Sequence, residues 1–327
     1  MRKVLGDYTY CLDSMYVLSS RASLRKDTMV TRRNIRFTVD GLSLAGTLHE
    51  PDTRDAGARP AVLVAGPSPQ VKEQVPDTYA VRIAAAGFPA LTIDFRGFGE
   101  SEGQPRLREM PAGKLADLRA AVSFLAAQPD IDADRIAIVG ICAGAGYALK
   151  AAAQDPRLAA FAGIAGFYPD LRTLRDAMGE DGYRAALRQA IEVLAEEDRT
   201  GEVGYLPHVG PIGAHALLQG GEVYEFYGSE RAASANYRNE ITADTMYTML
   251  TLDTATAADL VGVPALIVHG EKDGACPPER AVAVHDRLAG PARLEWLPVD
   301  THIGFYDDEA SIGPAIAALT DFLDKSL

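Results

Sequence analysis

The stretch that most constrains the fold of this chain runs from Arg135 to Lys150. It opens with Ile136-Ala137-Ile138-Val139, a short apolar run that reads as a buried strand. It closes with an Ala-rich helical run that ends near Asp155-Pro156. Between them stands Gly140-Ile141-Cys142-Ala143-Gly144, a Gly-x-Cys-x-Gly spacing that sets a nucleophile on a sharp strand-to-helix turn, with Cys where Ser is usual. Such a turn is strained, and Gly140 and Gly144 leave room where side chains would strike neighbouring backbone. The helix starts directly behind the thiol. Its free N–H groups and dipole favour a thiolate.

The same alternation extends along most of the chain. Two alternating segments, 35–39 and 42–48, flank Asp40-Gly41 and read as an antiparallel hairpin. Residues 61–65 form an unbroken apolar strand, followed by the loop Gly66-Pro67-Ser68-Pro69-Gln70 and a helix to about residue 86, capped by Gly87. A strand over 90–95 runs into a Gly-rich loop, and a helix covers 112–127. The elbow strand and helix come next, and then a strand over 158–166. Buried strands pause from about Pro169 and resume at Val263, with a strand over 265–269, a helix over 278–288, a strand over 293–297 and a terminal helix over 311–327. Buried strands alternating with helices give an α/β fold, a mostly parallel sheet covered by helices on both faces. The expected organisation is a core over 34–168 and 259–327, with a mainly helical cap inserted over 169–258. Residues 1–33 form an N-terminal arm with three open readings: a surface helix, a homodimer contact, or upstream sequence with no role.

The chain has 327 residues, long enough for one large domain with an insertion. Its formal net charge of −13 argues against nucleic acid and anionic membranes as partners. The three cysteines, Cys11, Cys142 and Cys276, cannot all pair and lack metal-ligand spacing, so a reducing, cytoplasmic compartment is expected. No run reaches transmembrane length, and no metal or nucleotide motif appears, so no cofactor is expected.

A thiol nucleophile needs a base, and the base needs an orienting acid. In open α/β sheets these groups lie on loops past the C-terminal strand ends. The loop after 265–269 offers Glu271 and Asp273, and the loop after 293–297 offers Asp300 and His302. The order nucleophile, acid, histidine is then Cys142, Asp273, His302, with Asp300 and Glu271 as alternative acids. His49, His269 and His285 read as structural, and Cys11 and Cys276 as non-catalytic. The N–H of Ala143, directly after the nucleophile, is one expected oxyanion donor.

At these residues the chain resembles an α/β-hydrolase of the dienelactone-hydrolase-like group. The resemblance rests on Val71-Lys72-Glu73-Gln74, Tyr79-Ala80, Gly87-Phe88, Asp94, Gly99-Glu100-Ser101, Gly103-Gln104-Pro105-Arg106 and the elbow through Leu149. It covers about residues 34–327, weakly in the cap. It implies an α/β-hydrolase fold and a Cys-His-Asp triad. Ser68 aligns with the aromatic residue of the family's usual His-Pro-Trp-type loop. Pro67 and Pro69 lack an N–H, so Ser68 is the expected second oxyanion donor. The segment around Asp94, Arg96, Gly97, Gly99 and Ser101 resembles a structural motif of the fold and is expected to hold neighbouring loops together.

The chemistry expected is attack of Cys142 on a carbonyl and an acyl-enzyme resolved by water. The substrate would be a small-molecule carboxylic ester, lactone or thioester. An acyltransferase or cyclase of secondary metabolism using the same residues is the alternative, and a non-catalytic binding protein on this scaffold a third reading. Tyr168, His208 and His215 are candidate substrate contacts; for Tyr168 plain packing competes, and for the two histidines a solvated loop.

Overall fold

The computed structural model describes residues 30–52 and 57–327. Nearly all of the expected arm lies outside the described residues, as does Cys11; Val30 to Arg33 belong to the first strand. That strand, β1 (Val30–Val39), pairs antiparallel with β2 (Leu42–Pro51), and Val39 faces Leu42 across the turn. Asp40 and Gly41 take positive φ of 52° and 80°, as a two-residue hairpin turn with matching twist requires.

There follow β3 (Arg59–Ala65), α1 (Val75–Ala85), β4 (Ala90–Ile93), α2 (Pro111–Ala126), β5 (Ile131–Ile141), α3 (Ala143–Gln154) and β6 (Leu158–Ile164). The chain then leaves the main sheet for α4 (Leu171–Met178), α5 (Glu180–Thr200), β7 (Tyr205–Leu206), β8 (Val209–Gly210), β9 (Leu218–Gln219), α6 (Gly221–Tyr227), β10 (Ile241–Thr242) and α7 (Thr245–Thr251). It returns through β11 (Ala265–Gly270), α8 (Pro278–His285), β12 (Ala292–Leu297), α9 (Gly304–Asp307) and α10 (Glu309–Ser326). The eight-stranded sheet has the order β1-β2-β4-β3-β5-β6-β11-β12. It is parallel from β4 to β12 and antiparallel at β1 and β2.

The apolar runs explain why this sheet is covered twice. Leu63, Ile138, Phe161 and Ile267 point to one face, in a cluster with Leu118 and Leu125 of α2 and Leu149 of α3. Their strand neighbours Val62, Val64, Val139, Ala162 and Val268 point to the other face, where Tyr79 and Ile83 of α1 and Ile316, Leu319 and Leu323 of α10 pack. A strand that alternates two apolar sets must bury both. The inserted segment has a smaller cluster of its own around Tyr183, Ala190 and Leu250. Ala255, Ala257 and Ala258 already pack in the main core, so the chain rejoins it slightly before residue 259. Among the described residues no helix is long and apolar enough to cross a membrane.

The loop after β4 does hold its neighbours together. Buried Asp94 accepts from the backbone N–H groups of Lys72 (2.8 Å) and Glu100 (3.0 Å) and pairs with Lys72 Nζ at 3.0 Å. Arg96 reaches buried Asp117 of α2. These bonds tie the loop after β3 to the loop after β4, and both border the end of β5.

At that end Cys142 has φ 53° and ψ −121°, between the last strand residue and the first helical one. The turn closes only because its flanking residues lack side chains. A Cβ on Gly144 would lie 2.2 Å from the Ala65 carbonyl oxygen, and one on Gly140 would lie 2.4 Å from Cα of Ala145. Both obstacles are backbone and cannot swing aside. Gly144→Ala should therefore destabilise the fold by about 1–3 kcal/mol, the usual cost of overpacking, and displace Cys142 as well. A denaturant midpoint indistinguishable from that of the unaltered chain would show that the turn has more slack than this.

Candidate active site

Three loops at the C-terminal edge of the sheet meet above Cys142. Asp273 stands in the turn after β11, and His302 in the loop between β12 and α9. Both are 2% exposed. Asp273 Oδ1 accepts from the N–H groups of Ala275 (3.0 Å) and Cys276 (2.8 Å), which fixes the carboxylate plane. Its Oδ2 accepts from His302 Nδ1 at 2.7 Å. The opposite nitrogen, Nε2, lies 3.0 Å from the Tyr306 hydroxyl. Cys142 Sγ, Cys276 Sγ and a ring nitrogen of His302 lie within 4.8 Å of one another. The backbone around the histidine is pinned from the inserted segment, where Glu222 of α6 accepts from the N–H groups of His302 (3.0 Å) and Ile303 (3.2 Å).

Of the acids considered, only Asp273 reaches the imidazole. Asp300 is exposed and pairs with Lys272 at 2.9 Å, and Glu271 is exposed. His269 donates from Nε2 to the Cys276 carbonyl at 2.8 Å and so supports the Asp273 turn from behind.

The electrostatics follow from these contacts. Cys142 is held well below the usual thiol range. The Cys276 thiol donates to it, and these contacts, together with the His302 charge and the Tyr306 hydroxyl, outweigh the effect of burial. Burial disfavours a charged His302, but the Cys142 thiolate and the Asp273 carboxylate overcome it and lift its pKa to about 10. The Cys276 thiol is pushed up by its bond to Cys142 and by burial, so it stays protonated. These directions favour a thiolate–imidazolium pair with a neutral second thiol at neutral pH. A depressed group keeps its charge until the pH falls through its lowered value, and a raised one until the pH rises through its raised value. Alkylation of Cys142 should therefore stay fast as the pH falls through the ordinary thiol range and past neutral, and drop only in acid. A rate that instead climbs through the ordinary thiol pKa near 8.5 would exclude the pair.

Cys142 opens onto a cavity of about 310 Å³. The core supplies Ser68, Ala143, Tyr147, Cys276 and His302, and the inserted segment supplies largely apolar residues, among them Leu217, Val223, Ile241, Met249 and Leu252. A polar patch around Ser68 and Glu109 interrupts this lining. Buried Glu109 accepts from Ser68 Oγ at 2.5 Å and from Tyr147 at 2.6 Å, and pairs with Lys114 Nζ at 2.7 Å. Lys114 sits over the rings of Phe95, Phe98 and Tyr147 at 4.8–5.2 Å. Burial pushes the Glu109 carboxyl up, but Lys114, Ser68 and Tyr147 hold it below its ordinary value.

The candidate substrate contacts separate cleanly. His208 lines the cavity edge-on to Tyr227, with ring centroids 4.9 Å apart; burial lowers its pKa to about 4 and keeps it neutral. Tyr168 does not line the cavity. Its ring folds beneath the strand end into space left by Gly163 and Gly166, and it is buried in the core. His215 is exposed on the inserted segment and also lies outside the lining.

Sequence reasoning missed Tyr306, Glu109, Lys114 and Glu222, and it named Cys276 as non-catalytic without placing it beside Cys142. Cys276 and Tyr306 carried a faint signal, standing three residues after Asp273 and four after His302. The other three reach the site by long-range packing that no local spacing records.

Two groups of described residues have metal-ligand spacing. Glu73, Asp94 and Glu100 surround the Lys72 ammonium. Cys142, Cys276 and His302 are the cluster described above, within 4.8 Å of one another.

Known proteins agree with this architecture. A protein from Pseudomonas aeruginosa, PA2218, is 28% identical over 90% of this chain and 79% of its own length. Its crystal structure superposes with a TM-score of 0.81, at 25% identity, over 99% of this chain and all of the other. The thiohydrolase aneE of Aspergillus aculeatus is 29% identical over 82% of this chain and 85% of its own length. The polyketide transferase grgF of a Penicillium species is 28% identical over 90% of this chain and 97% of its own; the GrgF structure superposes with a TM-score of 0.74 over 90% and 99%. Residues 74–308, which span Cys142, Asp273 and His302, match the hydrolase family described as serine aminopeptidase, S33. The chain belongs to that family and is an α/β-hydrolase enzyme.

Proposed function

We propose that this enzyme hydrolyses a small-molecule carboxylic thioester, ester or lactone through a Cys-His-Asp triad, as the dienelactone-hydrolase-like branch would. The observation that carries the reading is the paired geometry at the strand ends. His302 is oriented by Asp273 at 2.7 Å, and a ring nitrogen of it lies within 4.8 Å of a sulfur held on a positive-φ turn.

The Cys142 thiolate attacks the substrate carbonyl carbon, and the carbonyl electron pair moves to oxygen. Ala143 heads α3, so its N–H has no partner one helical turn back and is free to receive that oxyanion. The Ser68 N–H is the second donor; its side chain is anchored by Glu109, and both donor residues line the cavity with Cys142. Collapse of the adduct expels the leaving group, which takes a proton from His302. The neutral imidazole then removes a proton from water, and the hydroxide attacks the acyl-thioester. Collapse of the second adduct releases the acid and restores the thiolate and the imidazolium. The inserted segment, read as a cap over 169–258, shapes acyl specificity: its apolar side chains and neutral His208 form much of the cavity wall.

A second reading is favoured by the relatives named polyketide transferases and by the apolar cavity, which would slow entry of water. In it the same acyl-enzyme is resolved by an alcohol, amine, thiol or carbon nucleophile. Intact-protein mass spectrometry with activated acyl thioesters should show one acyl group, mapped to Cys142. Competing nucleophiles then divide the readings, since a hydrolase yields mainly free acid and a transferase mainly the transfer product. An acyl group mapped elsewhere, or none under single-turnover conditions, would sink both.

A further inference from the structure

We infer that Cys142 and Cys276 form a reversible oxidative modification site, with Cys142 as the peroxide-reactive thiol and Cys276 as its resolving partner. The triad uses only one of these sulfurs. Nothing in acyl transfer calls for a second thiol beside the nucleophile, where a serine or alanine would fill the same space. Yet the two sulfurs lie within 4.8 Å of each other, both are free, and both face the same cavity.

The placement is also stiff. The Cys276 N–H is held by Asp273 and its carbonyl by His269, so the second thiol is carried on the turn that orients the catalytic histidine. Cys276 is buried, 3% exposed, whereas Cys142 is half-buried and reachable through the cavity. That asymmetry suits the division of labour, with one sulfur meeting the oxidant and the other meeting only its neighbour.

The chemistry balances with hydrogen peroxide as the one co-reactant. The Cys142 thiolate attacks a peroxide oxygen, the O–O bond breaks, and hydroxide leaves with a proton from His302 as water. Cys142 is now a sulfenic acid. The Cys276 thiol gives its proton to the neutral imidazole, and its sulfur attacks Cys142 Sγ. The S–O bond breaks, and the second hydroxide takes the proton back from His302. The two thiols and one peroxide become a disulfide and two waters. Forming the bond requires the sulfurs, which lie within 4.8 Å, to close to about 2.05 Å.

With Cys142 tied to Cys276, the nucleophile is blocked without passing to the irreversible sulfinic acid. The assignment rests on the proposed role of Cys142 only for its effect on turnover. The test is therefore read in two independent ways. The full chain is treated with limiting peroxide, then mapped under non-reducing conditions, with Cys11 peptides followed separately. The expected product is a Cys142–Cys276 cross-linked peptide. Turnover should fall about tenfold or more and be regained with dithiothreitol. In Cys276→Ser, turnover relative to that variant's own starting value should fall as before, but recovery should be at least about fivefold poorer, with Cys142 found as sulfinic acid.

Sulfinic Cys142 in the unaltered chain, with no cross-link and recovery no better than in Cys276→Ser, would overturn the inference. Because the peptide map of the unaltered chain decides this, a variant that fails to fold does not spoil the test. A cross-link that forms while turnover persists would support the modification site and remove Cys142 from catalysis. Lost turnover without a cross-link would do the opposite.

Discussion

Cys142→Ala should lower kcat/KM for an activated thioester by on the order of 10⁴- to 10⁶-fold, leaving only what the cavity and the oxyanion donors contribute. The size of the loss follows from the absence of a substitute. Cys276 is near enough to invite the thought, but its thiol is buried, and burial still disfavours its thiolate once the bond to Cys142, the larger cause of its raised pKa, is gone. It is also carried on the Asp273 turn, whereas Cys142 directly precedes the first N–H of α3. A nucleophile on that turn lacks the position beside the Ala143 donor that the elbow gives Cys142. His302→Ala should cost nearly as much, and the double variant little more than either single one, because a base with no nucleophile and a nucleophile with no base fail at the same step. The measurement is single-turnover acyl transfer with the three variants side by side. Retention of more than about a hundredth of the rate in Cys142→Ala would move the reacting atom elsewhere in the cavity.

The parts of this site legible in the sequence are those whose geometry is local. A positive-φ elbow between a strand and a helix demands glycine on both sides, and Gly140 and Gly144 declare it. The turn at Asp40-Gly41 does the same for the hairpin. Chain order is legible as well, because strand ends of a parallel sheet share one edge, so Asp273 and His302 could be paired from far apart in sequence. What the sequence conceals is which side chains fill the space between loops. Tyr168 ends a strand, where pocket lining and plain packing are both open from sequence; Gly163 and Gly166 open a slot under the strand and the ring turns inward. No local spacing marks Lys114 as part of the site. It is buried because Glu109 neutralises it and three aromatic rings accept it. His208 and His215 are close in sequence, yet one is buried in the cavity wall and the other is exposed. Only the packing of the inserted segment separates them.

Asp273→Asn should reduce kcat by on the order of 10⁴-fold while leaving the protein folded, and the reason lies in the two edges of this carboxylate. Oδ1 already accepts from two backbone N–H groups, those of Ala275 and Cys276. An asparagine must therefore keep its carbonyl oxygen there, because turning the amide would set donors against donors. Its NH₂ is left facing His302 Nδ1, 2.7 Å from the atom it replaces. That nitrogen must then accept, and the imidazole proton moves to Nε2, the side that has to exchange protons with Cys142 and the leaving group. The negative charge is lost at the same time. His302 falls from about 10 toward its ordinary value and Cys142 climbs back toward the usual thiol range, so less thiolate is present at neutral pH. Both changes can be read apart from turnover, as an alkylation profile of Cys142 displaced to higher pH. Asp273→Ala makes the contrast. It leaves the backbone N–H groups of Ala275 and Cys276 without their partner; the buried one, on Cys276, costs about 1–3 kcal/mol, so stability as well as rate should fall. If Asp273→Asn kept activity within about tenfold, with an unshifted alkylation profile, the carboxylate would be a turn anchor only. The imidazole would then owe its orientation to Glu222 and Tyr306, whose bonds to the His302 backbone and to Nε2 are untouched by the substitution.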